Sequence, residues 1–430
     1  MADLARIAEH RTTLSGYDFE LLADVPIVYH CHHFNLFWDQ TIDDALGAQL
    51  GTVVRTRAAR EAFYDVIARV LELLAVEGEK EQRAFAEALF ATLGHGTLRM
   101  GVRGNSGLAE GTHLHHGTCW REKYGGKMNR RRPADAVTAG YAAAAMEVVH
   151  GLPRESVDAA EETCVVLDAP TCRFALRPMD QAPLMRPVLR EHVERTRLAS
   201  LSSVEETAVA TLAERLRNHA SKLSADLDGR LRAFGLYFAL TPTTYYNRAA
   251  YDASRHVARI APQSVSVMKA LLREAAHVGT FNAFGHILMS PQWETQGGPL
   301  RGEVEEIVIG ACAIGRAMGL GRWCIEEIVP HQRLVLRLPA TYESCYYVNR
   351  EGRATEGACY FMQGAALATM QLAHRVPWTS RPSLSGDFYD RLLEGGLPWR
   401  VEETRCVSKG DPFCELVVSS TESANRRLTL

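Results

Sequence analysis

The sequence has no run of about 18 apolar residues of the kind that crosses a bilayer. Its first stretch, MADLARIAEHRTTL, is too polar for the apolar segment of a secretory signal. No membrane partner is expected, and a cytoplasmic location follows by default. Charge of one sign is also lacking: 48 Lys and Arg face 51 Asp and Glu, a formal net charge of −3. That balance gives no electrostatic footprint for nucleic acid. The one basic cluster, KMNRRR (127–132), reads as a solvated loop. Several reaction signatures are missing too. There is no GxxxxGK[ST] phosphate loop, no HExxH, no GxGxxG and no Cys-x-x-Cys-His, and GNSGLAEG (104–111) lacks the spacing of a nucleophile elbow.

What is present is ordinary in bulk. The 430 residues, 47% hydrophobic and 23% charged, suffice for two or three domains with real cores. In a reducing compartment the ten cysteines are expected to be thiols or metal ligands rather than disulfides.

The order of motifs indicates a tandem duplication. Glu161, Cys164 and Cys172 match Glu403, Cys406 and Cys414: each set is Glu-x-x-Cys followed eight positions later by Cys. Upstream, DAVTAGYAAAAM (135–146) lies over CYFMQGAALATM (359–370). GTCWREKYGG (117–126) lies over ESCYYVNREG (343–352), pairing Cys119 with Cys345. HCHHFNLF (30–37) lies over HVGTFNAF (277–284), pairing His30 with His277. Each unit opens with helical periodicity, as in 59–78 and 303–321. A strand-like stretch follows, clearest at 332–348, then a small-residue helix around Gly140 or Gly364, and the unit closes on the Cys-bearing hairpin. Between the units, 202–234 is amphipathic and reads as a helical connector.

A Cys, a Gly five positions on, and then Glu-x-x-Cys-x7-Cys resembles the 4-vinyl reductase (hydrocarbon-binding) domain family. That family also supplies the sensor domain of phenol- and xylene-responsive transcriptional activators. The resemblance covers most of each unit. It implies a zinc ion held by one Glu and three Cys beside a pocket for a small aromatic. The second unit carries the whole set, Cys359, Glu403, Cys406 and Cys414. The first carries Glu161, Cys164 and Cys172, with Asp135 where the first Cys is expected. Thiolates and a carboxylate suit four-coordinate zinc, and a site with no open position is structural. Buried reduced cysteines are the plainer alternative.

The histidines divide the units. His32 and His33 have no counterpart in the expected match, where Gly279 and Thr280 stand, and His113, His115 and His116 lie over a stretch without histidine. These five are the candidate catalytic residues. One reading is a non-haem iron centre drawing on Asp39 or Glu110 as well. HLHH, read as a strand, would put His113 and His115 on one side and His116 on the other. HCHH, read as helix, would put His30 and His33 on one face. A second reading is haem, with His115 and Cys119 spaced by three residues. A third is a metal-free pocket in which imidazoles hydrogen-bond a phenol or similar ligand, with Trp38 and Trp120 lining it. A surface role without function is the fourth. If the histidines form one site, His33 and at least one of His113, His115 and His116 should line a single buried cavity.

The expected architecture is α+β: two duplicated units, each with helices on an antiparallel sheet and a Cys-bearing hairpin, packed as an internal pseudo-dimer. The units are placed at 1–183 and 251–420, with a helical connector at 184–250 and a tail at 421–430. The first is expected to hold the working pocket, and the second to be scaffold with a zinc clamp. The function expected is a stand-alone enzyme of small-molecule, including secondary, biosynthesis: a metal-dependent oxidoreductase acting on a small aromatic or largely apolar substrate. The alternative is a non-catalytic sensor or carrier of a hydrophobic small molecule or tetrapyrrole. Structural zinc is the expected cofactor, with iron or haem open. A small-molecule ligand is the expected partner, and a homodimer stays open.

Overall fold

The structure is a computed structural model that describes residues 7, 9–103, 106–125, 130–179, 201–394 and 399–421. It is α+β, with three antiparallel sheets and thirteen α-helices among the described residues. No helix among them is long and apolar enough to cross a membrane.

A five-stranded sheet joins the two halves of the chain. Its order is Arg11–Leu14, Phe19–Leu22, Val25–Cys31, Leu236–Pro242, Leu231–Ala233. Val25–Cys31 (VPIVYHC) is buried at every position, which fits its β-branched and aromatic content. It pairs antiparallel with Leu236–Pro242, Tyr29 lying opposite Leu240. Both strands run straight into helices, His32–Leu46 and Thr243–Ile260, and each is followed by a long helix, Ala48–Leu73 or Val265–Met289. Each half then builds a four-stranded sheet of the same order. The first is Arg99–Arg103, Ser106–Gly111, Cys172–Pro178, Val157–Thr163. The second is Cys324–Val329, Arg333–Leu338, Cys414–Ser420, Trp399–Arg405.

The halves interlock. His32–Leu46 packs on the second half's Val265–Met289, and Thr243–Ile260 packs on the first half's Ala48–Leu73. The fit at the first of these contacts is tight: a Cβ on Gly279 would lie 2.7 Å from that of Phe34.

The duplicated small-residue helices, Ala136–Val149 and Tyr360–Arg375, pack against the long helices as the alignment of 135–146 with 359–370 implies. A Cβ on Gly140 would lie 2.4 Å from the Thr56 carbonyl oxygen and 2.6 Å from Ala59 Cβ. On Gly364 it would lie 2.2 Å from the Arg273 carbonyl oxygen and 2.7 Å from Ala276 Cβ. Helix axes approach this closely only where a side chain is absent.

Four expectations change. The matched glycines put Arg60, not His30, opposite His277. His30 lies in a strand, whereas His277 lies inside a helix. The shared Phe–Asn–x–Phe string is a short apolar pattern that both a helix start and a helix interior tolerate. Counted from the start of each helix, His32 and His33 correspond to Thr243 and Thr244. Second, HLHH is not a strand: the strand ends at Gly111, and His115 and His116 open the helix His115–Tyr124. Likewise 332–348 is a strand, Arg333–Leu338, followed by the helix Tyr342–Glu351. Third, Gly111 pairs with Cys172 and Leu338 with Cys414. That register places Tyr346, one position on from Cys345, opposite Cys119. Fourth, 184–250 is only partly a helical connector. Helix Glu206–Ala220 is there, but Leu231–Ala233 and Leu236–Pro242 are strands of the joining sheet, and Thr243 opens a framework helix. Residues 184–200 and 422–430 lie outside the described residues.

Gly140→Ala and Gly364→Ala should each destabilise the fold by about 1–3 kcal/mol through overpacking. Gly386→Ala meets nothing within 4 Å and should stay within about 0.5 kcal/mol. Denaturant unfolding of the three variants measures both.

Candidate metal centres and the buried histidines

Each closing hairpin gathers its donors by the same local device. Glu161 and Cys164 are three residues apart, so strict strand alternation would send them to opposite faces. A β-bulge between Glu161 and Thr163 corrects this, and the second hairpin has one between Glu403 and Arg405. A 3₁₀ turn follows each Cys, ending in a left-handed residue, Asp168 or Gly410, and the next strand starts on the second Cys. The last donor, Asp135 or Cys359, is the residue just before the small-residue helix.

The ligand atoms of Asp135, Glu161, Cys164 and Cys172 lie within 4.8 Å of one another, and so do those of Cys359, Glu403, Cys406 and Cys414. Cys359 Sγ is 3.6 Å from Cys406 Sγ and 3.8 Å from Cys414 Sγ. In the first unit, Cys172 Sγ is 3.7 Å from Cys164 Sγ and 3.5 Å from Asp135 Oδ2. The surroundings also match. The Val165 N–H donates to Cys172 Sγ, and the Val407 N–H donates to Cys414 Sγ. The Asp135 N–H donates to Glu161 Oε2 at 2.8 Å, and the Cys359 N–H to Glu403 Oε2 at 3.2 Å. In both units the remaining carboxylate oxygen, Oε1, is buried with no hydrogen-bond partner among the described residues. An orphaned buried carboxylate oxygen beside thiols is costly. A cation would satisfy it, so both sets fit a metal ion. Burial and then the neighbouring Cys thiolate push Asp135 up to about 8, and Glu403 likewise up to about 8. A bound cation would reverse that shift.

The sites differ in hardness. The second has three thiols, with hydroxyls near each: Thr341 Oγ1 3.0 Å from Cys359, Ser408 Oγ 2.9 Å from Cys406 and Ser344 Oγ 3.6 Å from Cys414. The first has two thiols and two carboxylates, and the Gly117 N–H donates to Asp135 Oδ1.

The histidines are spread around the first unit. Among the described residues, the groups of three or more donors able to hold a metal are the two Cys-containing sets, and neither includes a histidine. His32 packs on His33, their ring centroids 4.2 Å apart, and its Nδ1 accepts the Tyr237 N–H. His33 meets the Lys123 ammonium and stacks 5.5 Å from His286. His113 is 43% exposed, beside Asp228. The two histidine stretches do meet, through intermediaries. Asn35 Nδ2 donates to His115 Nε2 at 3.0 Å, and His116 Nε2 lies 3.8 Å from Asp39. His115 Nδ1 is buried with no hydrogen-bond partner among the described residues. Cys119 packs against Leu36 and Trp120.

Around this junction lies a polar network of which the sequence pointed only to Asp39. Arg55 is fully buried and pairs with Asp39 at 2.8 Å and Asp43 at 2.6 Å. Arg130 bonds Asp43 at 3.1 Å, and the Tyr245 and Tyr246 hydroxyls donate to Asp39 and Asn35. The i,i+4 spacing of Asp39 and Asp43 is the one sequence signal that could have flagged it. His95, also missed, lies 6.3 Å from His115 and bonds the Leu240 carbonyl.

Burial, first among the causes in each case, lowers these rings: His95 to about 4, His277 to about 4, His32 to about 3, and His115 and His116 well down. They are neutral at pH 7. The unfolded chain takes up protons near pH 6.5 that the folded chain refuses until about 4. Their contribution is therefore complete above pH 6.5 and lost as pH falls towards 4. Unfolding free energy should drop between pH 6.5 and 4.5 by up to about 1.4 kcal/mol per unit for each such ring. His277→Phe should flatten that slope, as read by denaturant titration at each pH.

No family model matches the chain, and no curated protein matches it. The 4-vinyl reductase family suggested by the hairpin motif therefore lacks family-model support. Among solved structures, the chain is weakly similar to the phenol-responsive sensory domain of the transcription activator PoxR, crystallised with phenol. The TM-score is 0.32 and the identity 13%, over 51% of this chain and 96% of that one.

Proposed function

We propose that the protein is a non-catalytic binder, a sensor or carrier, of a small, largely apolar molecule with a polar handle. In this reading two structural zinc ions brace its units. The observation that carries it is the matched pair of four-donor sets. Four protein donors fill a tetrahedral ion and leave no position for substrate. Zinc suits the spacing: ligands at Zn–S of roughly 2.3 Å lie about 3.8 Å apart at the tetrahedral angle, and a thiolate–carboxylate pair about 3.5 Å. The separations of 3.6, 3.8, 3.7 and 3.5 Å agree with those values.

A metal-dependent oxidoreductase using His32, His33, His113, His115 and His116 is the second reading. The unpartnered Nδ1 of His115, beside Asn35 and His116, is what favours it. It asks for an open metal centre with histidine ligands, or for haem.

Elemental analysis and an optical spectrum of the purified protein separate these readings. The binder reading expects two zinc per chain, no stoichiometric iron and no haem band. One iron per chain or a haem spectrum would replace it with the enzyme reading. The two clamps should also release metal at different rates to a chelator, the carboxylate-rich first site faster. Asp135→Cys should slow the fast phase, and Cys406→Ser should remove the slow one. Cys406→Ser should also cost several kcal/mol of stability, since structural zinc binding contributes folding free energy on the order of 10 kcal/mol in small domains.

A further inference from the structure

Beside the second clamp is a cavity of about 250 Å³, between the Thr243–Ile260 and Tyr342–Glu351 helices. Tyr251, Tyr346, Tyr347 and Tyr360 line it, and Tyr360 directly follows the donor Cys359. Tyrosine offers broad, stiff ring faces with a polar tip. A cavity of 150 Å³ accommodates benzene, so this one has room for one or two rings and a substituent.

The charges around the cavity select the substituent. Glu356 is paired with Lys269. The two oxygens of Glu343 accept the N–H groups of Phe361, at 2.8 Å, and Met362, at 3.2 Å, so its charge is directed at a helix N-terminus. Arg255 remains. It is exposed on the lining, its guanidinium 5.9 Å from the Tyr251 ring centroid, and it makes no ion pair among the described residues.

The first unit shows the same space filled from within. Counted from the helix starts, Ala250, Ser254 and Tyr347 correspond to Asp39, Asp43 and Trp120. There the Arg130 guanidinium lies 4.7 Å over the Trp120 ring and bonds Asp43, while Arg55 bonds both carboxylates. In the first unit the protein's own cation rests on the Trp120 ring. In the second, Arg350, paired with Glu61, lies 5.6 Å from the Tyr346 centroid and Arg255 lies 5.9 Å from that of Tyr251, but Tyr347, the counterpart of Trp120, has no cation over its ring among the described residues.

We infer that the second unit, rather than the first, holds the ligand, and that the ligand is a one- or two-ring aromatic carboxylate whose anion meets Arg255. This rests on the binder reading and names its site and ligand class.

Calorimetric titration of the full chain with benzoate and 2-naphthoate tests it, with metal content measured on the same samples. Both acids should bind the metal-loaded protein. Ala250→Trp, which fills the cavity, should abolish binding. Arg255→Gln, a surface change that spares the core, should weaken the acids about tenfold while changing 2-naphthol affinity less than threefold. Failure of both acids to bind metal-loaded protein at millimolar concentration would overturn the inference. So would binding indifferent to Ala250→Trp, or equal losses for acid and naphthol in Arg255→Gln. Protein that holds no metal would instead refute the clamp reading, whatever the titration shows.

Discussion

The pairing of Val25–Cys31 with Leu236–Pro242 is the constraint from which the other elements take their positions. Five residue pairs, Ile27 with Pro242 through Cys31 with Phe238, hold strands that lie more than 200 residues apart in the chain. Val25–Cys31 is buried throughout its length, so leaving it unpaired would strand a row of backbone donors and acceptors in the core. Each strand ends one residue before a helix begins, so fixing the strands fixes where His32 and Thr243 open theirs. Those helices cross to the opposite halves and set the height of the long helices. The small-residue helices then dock on the long ones at Gly140 and Gly364 and bring Asp135 and Cys359 to the hairpins.

What could be read from the sequence follows from the range of the interaction involved. The hairpin donors were legible because a turn, a bulge and two strand starts are local, and their spacing is covalent. Asp135 and Cys359 were reached through the family resemblance, whose motif sets a Cys five positions before a Gly: Cys359 before Gly364, with Asp135 in that place before Gly140. The joining sheet was not. Its segments at 231–242 are only three and seven residues long, and they follow a helix that resembles a linker. The misplaced partner of His30 came from the same blindness: a four-residue apolar string carries no information about whether a strand or a helix precedes it. Tertiary context also decided HLHH, where two histidines at a helix start read equally well as strand.

The two units have diverged in what they bury. The first encloses Arg55, Asp39 and Asp43 behind Arg130, a charged cluster whose desolvation is offset by the ion pairs among its members. Removing one member would leave an uncompensated charge, which ties these residues to one another more tightly than to any ligand. The second unit places carboxylates at its four-donor set and, through Glu343, at a helix start, pairs the buried Arg350 with Glu61 of the first half, and lines a cavity with tyrosines. The two frames thus differ at matching places: Asp39 and Asp43 are held by Arg55 in the first, and Ala250 and Ser254 line a cavity in the second.

The interlocked sheet also sets a timetable for synthesis. When the strand ending at Cys31 leaves the ribosome, its partner ending at Pro242 has yet to be made. At about 5–20 residues per second, roughly 10–40 seconds pass before that partner emerges. During that interval an apolar strand edge is open to any passing chain, and the first half cannot complete its core however well its own helices form. Such non-local closure is intrinsically slow. Translation speed therefore sets how long that edge stays open before the joining sheet can close.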